Sequence, residues 1–356
     1  MTATYLYNFQ RLVIHNKPWI LTPPIGALGG YLAQWMNWPL PWMIGALVGV
    51  ALYRCLGHST QAIPQGVKVG QWIIATGIGL HFNQQVMIEI LAYFDVILLG
   101  TLVALSTSIV GIFIHRHYGE DLATAYFASM PGGANEMVNL GRLNGADLAR
   151  IAAGQSLRMV LVLLIVPASY TWLFGDAHGS NLIHYPVNFA WLALLLFLGA
   201  LVGQRFQHWQ VPNAWQLGAL LVSITVSVTF DLHIGLPTGA GEFGQWLVGS
   251  TLGCYFDRAF FRRAPAFMLR MSIATLSIMV LSIPIALMLG WMSNLDMRTL
   301  MLGMMPGGIA EMSLTAEALQ LLVPLVTAMQ VLRLLIVLFM AQPIFRQWYR
   351  YRESRK

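Results

Sequence analysis

One stretch of this chain occurs twice, and it limits the folds open to the rest. Met130-Pro131-Gly132-Gly133-Ala134-Asn135-Glu136-Met137 returns 175 residues later as Met305-Pro306-Gly307-Gly308-Ile309-Ala310-Glu311-Met312. Each copy sets a helix breaker, two glycines and a carboxylate inside apolar sequence. Pro and Gly free backbone groups there, and a glutamate at membrane depth is costly. The match extends without gaps on both sides. Asp121 and Thr124 correspond to Asp296 and Thr299, and Gln155 and Arg158 correspond to Gln330 and Arg333. Such an internal duplication is a signature of many transporter folds.

The composition fixes the solvent. The chain has 356 residues, of which 57% are hydrophobic and 10% charged, against about 25% charged in a soluble domain. The mean hydropathy is +0.64. The expectation is an all-α polytopic membrane protein. No cleavable signal peptide is evident, so the first membrane helix is expected to direct insertion. The net charge of +6 is read as cytoplasmic loops obeying the positive-inside rule, not as a nucleic-acid footprint. The two cysteines, Cys55 and Cys254, are expected at cytoplasmic helix ends as free thiols.

Along the chain, apolar runs cover about Pro18–Trp35, Pro39–Tyr53, Val69–Phe82, Ala92–Ile114 and Ala152–Phe174, with the broken segment Asp121–Asn139 before the last. The second half repeats this: Phe189–Gly203, Ala214–Phe230, Phe243–Phe256, Ala266–Trp291, the broken segment Asp296–Met312, and a last span Leu321–Gln342 ending at Pro343. Gly70-Gln71-Trp72 recurs as Gly244-Gln245-Trp246, and Pro39, Trp42 and Gly45 recur as Pro212, Trp215 and Gly218. The expected organisation is a first repeat over 1–175, a polar connector near 175–187, a second repeat over 188–343 and a basic cytoplasmic tail over 344–356.

Loop charge predicts how the halves are oriented. If each broken segment is a re-entrant hairpin, each repeat has five spans and the two are inverted. Sixteen of the 20 Lys and Arg residues then face the cytoplasm and only Arg298 lies outside, with Arg158, Arg270 and Arg333 near membrane level. If the segments cross, the repeats are parallel and the split falls to eleven against six. The first arrangement is preferred, with both termini cytoplasmic. A broken helix that crosses while a short run fails to span gives the same parity.

The candidate solute or ion site lies between the two motifs: Pro131, Gly132, Gly133, Asn135 and Glu136 in the first, Pro306, Gly307, Gly308 and Glu311 in the second. The glutamates can carry a proton, bind Na⁺ or pair with an arginine; the structural alternative is that each caps its half-helix. Arg158 and Arg333, each with a glutamine one turn earlier (Gln155, Gln330), are read as charge partners or anion holders, or as snorkelling side chains. Asp121 and Asp296 are read as helix caps, and Trp72 and Trp246 as packing residues. Ala310 stands where the first copy has Asn135, so the motifs are not equivalent. No metal spacing, P-loop or nucleophile elbow occurs. No catalytic residue, cofactor or metal is expected.

The doubled motif and the Gly-Gln-Trp repeat resemble the AbrB-type membrane proteins, the AbrB duplication family, over essentially the whole chain. That family is distinct from the small soluble DNA-binding AbrB regulators. Its labels include ammonia monooxygenase and regulator of gene expression, and its location is the bacterial inner membrane. The monooxygenase label finds no support in the residues, because the ligands that O₂ chemistry needs are missing. The expectation is a secondary transporter of a small solute, an organic anion being one class suggested by the arginines. A membrane-embedded regulator is the alternative. Expected partners are the solute, a coupling H⁺ or Na⁺ and lipid, without nucleic acid; a homodimer is allowed.

Overall fold

The computed structural model describes residues 18–174 and 185–353. The N-terminal lead, most of the 175–187 connector and the last three residues lie outside them. Among the described residues all the regular secondary structure is helical. Five helices are long and apolar enough to cross a bilayer: Phe94–His117, Leu148–Phe174, Phe189–His208, Pro265–Ser293 and Val323–Tyr351. The fold is that of a membrane protein.

Six helices form one layer. They are α1 (Thr22–Trp35), α2 (Pro41–Cys55), α3 (Gly66–Gly79), α10 (Phe189–His208), α11 (Ala214–Phe230) and α12 (Ala240–Gly253). Prolines open α1 and α2, where the missing N–H costs nothing. Small residues let these helices touch through their backbones. A side chain at Gly29 would strike the Gly45 carbonyl. The two halves are interleaved: α12 packs on α1, α2 and α3, while α3 packs on α10, α11 and α12. Trp246 Nε1 donates to Pro23 O at 3.3 Å, and Trp72 Nε1 donates to Leu196 O at 3.1 Å. A Cβ on Gly253 would meet Leu47 O, Val50 Cβ and Ala51 N; one on Gly79 would meet Leu220 O, Ser223 Cβ and Ile224 N. Those are the same three atoms, 173 residues apart.

The second body contains α5 (Phe94–Ser106), α6 (Ser108–His117), α7 (Leu122–Ser129), α8 (Ala134–Leu143), α9 (Leu148–Phe174), α14 (Pro265–Ser293), α15 (Met297–Met304), α16 (Ile309–Ala318) and α17 (Val323–Glu353). Long helices α9, α14 and α17 enclose the short ones. One apolar core runs from Met43 and Ile74 in the layer to Met304 and Val326 in this body. A second gathers Tyr126, Phe127 and Phe345.

Three features depart from the sequence reading. The fourth run is interrupted at Thr107, where Ser106 and Thr107 hydroxyls donate to the Val103 and Ala104 carbonyls and compete with the helix ladder. Two helices were not anticipated, α4 (Gln84–Ala92) and α13 (Arg258–Arg263), capped by Asn83 and Asp257. The last span does not end at Pro343: α17 continues to Glu353. Neighbouring helices can re-satisfy the groups a membrane proline frees, and Tyr126 OH donates to Ala341 O at 2.9 Å just before it.

Candidate functional site

Each motif interrupts a helix, and the two interruptions have the same build. α7 starts at Asp121, whose side chain accepts from Thr124 N at 2.8 Å, and α15 starts at Asp296, which accepts from Thr299 N at 3.0 Å. Both aspartates therefore cap. The chain then leaves helical geometry at Met130 and Met305 and turns tightly, with Gly132 N donating to Met130 O and Gly307 N to Met305 O. Gly133 and Gly308 are the N-caps of α8 and α16.

The glutamates sit over those glycines. A Cβ at Gly133 would collide with Glu136 Oε2, and one at Gly308 with Glu311 Oε2. Glycine is required because the carboxylate occupies the side-chain position. Each glutamate is the third residue of its helix, where a carboxylate answers unpaired N–H groups and the positive dipole end. Glu311 is 7% exposed, whereas Glu136 is half-buried.

The glutamine and arginine of each half serve the opposite dipole end. Where α7 stops, its last carbonyls have no helical partner. Gln155 Nε2 donates to Phe127 O and Met130 O, while Arg158 donates to Met130 O at 2.9 Å, Gly132 O at 3.4 Å and Gln155 Oε1 at 2.7 Å. In the second half Gln330 donates to Gly303 O and Met305 O, and Arg333 to Met305 O and Gly307 O. The arginines thus hold the carbonyls of their own break. Among the described residues no carboxylate stands within ion-pair distance of Arg158. The same holds of Arg333. Both are 5% exposed. The Nε–H of each, and Gln330 Oε1, are buried without a partner among the described residues.

The two segments start near opposite ends of α9. At its first turn, Asp147 N donates to Thr124 Oγ1 at 2.8 Å and Arg150 pairs with Glu120, so the start of α7 lies beside the start of α9. Near its last turn, Tyr170 OH donates to the carbonyl of Arg298, in the first turn of α15, at 2.9 Å. The 27 residues of α9 span about 40 Å.

The structure therefore brings Pro131, Gly132, Gly133, Gln155 and Arg158 together, and separately Pro306, Gly307, Gly308, Gln330 and Arg333. Asn135 is exposed and its counterpart Ala310 is buried. Sequence reading missed a hydroxyl pair behind the second motif, Ser313 Oγ to Thr327 Oγ1 at 2.7 Å, and a polar contact, His81 Nε2 to Glu317 Oε1 at 3.7 Å. Neither has a counterpart in the other half that would have flagged it: the matching positions hold Val and Ala, and Tyr and Arg. Among the described residues no group of three His, Cys, Asp or Glu could hold a metal.

Fold and site define a polytopic α-helical membrane protein built around two broken helices. A profile described as "Transition state regulatory protein AbrB" matches residues 42–349, and the chain belongs to the AbrB family. It is 23% identical over 350 residues to "Uncharacterized protein YhjN" of Bacillus subtilis, covering 90% of this chain and 91% of that protein. It is also 23% identical over 321 residues to "Putative regulator AbrB" of Escherichia coli, covering 89% and 92%.

Proposed function

We propose that this protein is a bacterial inner-membrane secondary transporter of a small solute, with no catalytic step. It would be built of two inverted repeats of five spans, with both termini cytoplasmic and binding between the two broken segments. The observation that carries this is the entry of the segments from opposite ends of α9, with both Gln-x-x-Arg supports buried between them. The antiparallel crossing of α3 and α12 supports the inversion. Gly70 lies against Gly244, Gly66 against Leu247, and Gly77 against Leu236. Broken helices at mid-depth, dipole ends facing a solute, are how such transporters bind.

Glu136 is the proposed coupling carboxylate, because it is the half-exposed one. The arginines contribute mainly by fixing the breaks. Their remaining Nε–H donors leave an anionic group as the favoured solute chemistry. The test is purified protein in proteoliposomes, screened by thermal shift against small organic anions and cations. Flux of each hit is then measured under imposed H⁺ or Na⁺ gradients. Gradient-driven flux that Glu136→Gln abolishes supports the proposal.

A second reading, a membrane-embedded regulator, is favoured by the name of the Escherichia coli relative. It expects no flux for any solute, and altered transcript levels in a deletion strain that the Glu136→Gln protein restores.

A further inference from the structure

The two motifs match in build but not in seating. Every residue from Ile309 to Ala316 of α16 is buried, whereas only Met137 and Gly141 of α8 are. α16 packs on layer helix α3, and α17 packs on α3 and α4. α8 makes no comparable packing against α12, nor α9 against α12 or α13. His81 Nε2, at the end of α3, lies 3.7 Å from Glu317 Oε1, at the end of α16. At the repeat offsets of 174 and 175, His81 corresponds to Tyr255 and Glu317 to Arg142, and both counterparts are exposed. The layer nevertheless offers both sites: α3 and α12 meet their neighbours through the same atoms at Gly79 and Gly253.

We propose that α8 is an intramolecular docking surface for α12. In a second conformation α8 seats on α12 as α16 leaves α3, and the Arg142 guanidinium lies against the Tyr255 ring in place of the His81–Glu317 pair. A guanidinium over a phenol face is an attractive contact. Docking would cover the face of α8 that carries Asn135 and Asn139 and uncover that of α16 carrying Ala310 and Leu314. This rests on the transport reading, for which it supplies the alternating step.

The test is cross-linking of full-length protein in membranes, with Cys55 and Cys254 replaced by Ser and a protease site inserted in the 175–187 connector. One variant carries His81→Cys and Glu317→Cys, the other Arg142→Cys and Tyr255→Cys. After treatment with bifunctional thiol reagents of graded reach and cleavage, a linked protein stays whole on a denaturing gel. Both pairs should link. Linking 142 to 255 should also make a Leu314→Cys thiol reactive that is silent otherwise. Linking of the 81–317 pair alone, at every reach, overturns the proposal. Hydrogen exchange on the unaltered protein gives an independent reading. α16 amides should exchange through an opening far more frequent than global unfolding, and opening only with global unfolding overturns the proposal. Flux without 142–255 linking would reject this exchange and leave the transporter. Linking without flux for any solute would keep the exchange and reject the transporter.

Discussion

At the scale of single residues, Gly133 with Glu136 and Gly308 with Glu311 form two small machines of one design. The carboxylate folds back over a glycine that has no Cβ to obstruct it. Gly133→Ala or Gly308→Ala should displace the carboxylate and destabilise by roughly the 0.5–2 kcal/mol of a lost N-terminal cap, read as a lower melting temperature. Charge separates the two copies. Glu136→Gln keeps an acceptor oxygen for the cap, so the variant should melt with the wild type while losing coupled flux. Normal melting together with full activity would remove Glu136 from the site. Glu311→Gln puts an amide where the carboxylate is 7% exposed. A buried donor left without a partner costs about 1–3 kcal/mol, so this variant should show a lower melting temperature as well. The sequence displays both glutamates equally; the difference lies in burial, which the motif does not encode.

At the scale of elements, a broken helix survives when something replaces its missing ladder. Here α9 and α17 do so, each lending a Gln and an Arg to the carbonyls of the neighbouring break. If Arg158 were chiefly the partner of Glu136, an Arg158→Gln, Glu136→Gln double variant would recover the stability lost in Arg158→Gln. The carbonyl contacts predict no recovery, and Arg158→Lys should also fail, since one ammonium cannot match a planar fork on two carbonyls. Melting temperatures of the three variants decide it. The register of Gln155 and Arg158 with Gln330 and Arg333 was legible in the sequence, because identical spacing in both halves marks a shared task. What the arginines bind was not legible, because backbone carbonyls leave no residue signature. The helices at 84–92 and 258–263 escaped for a related reason. They are short and mixed in polarity, announced mainly by the caps Asn83 and Asp257. The run through Pro343 escaped because proline stops a helix in water more reliably than between packed helices.

At the scale of the whole molecule, sidedness is the property on which the transport reading stands. Leu143 and Ala318 are counterparts 175 residues apart, each at the exposed end of the second half of a broken segment. If both segments crossed the membrane, the repeats would be parallel and these positions would face the same side. The contacts of α9 argue otherwise. The first segment starts at the end where Asp147 meets Thr124, and the second at the end where Tyr170 meets Arg298. Positive charge agrees, since Arg116, Arg142 and Arg150 gather at the first end while Arg298 stands at the second. Leu143→Cys and Ala318→Cys, each made with Cys55 and Cys254 replaced by Ser, should therefore label from opposite sides. A membrane-impermeant thiol reagent should reach Ala318→Cys in intact spheroplasts and Leu143→Cys only in inside-out vesicles. Labelling of both from one side would refute the inverted arrangement and, with it, binding between segments that enter from opposite faces.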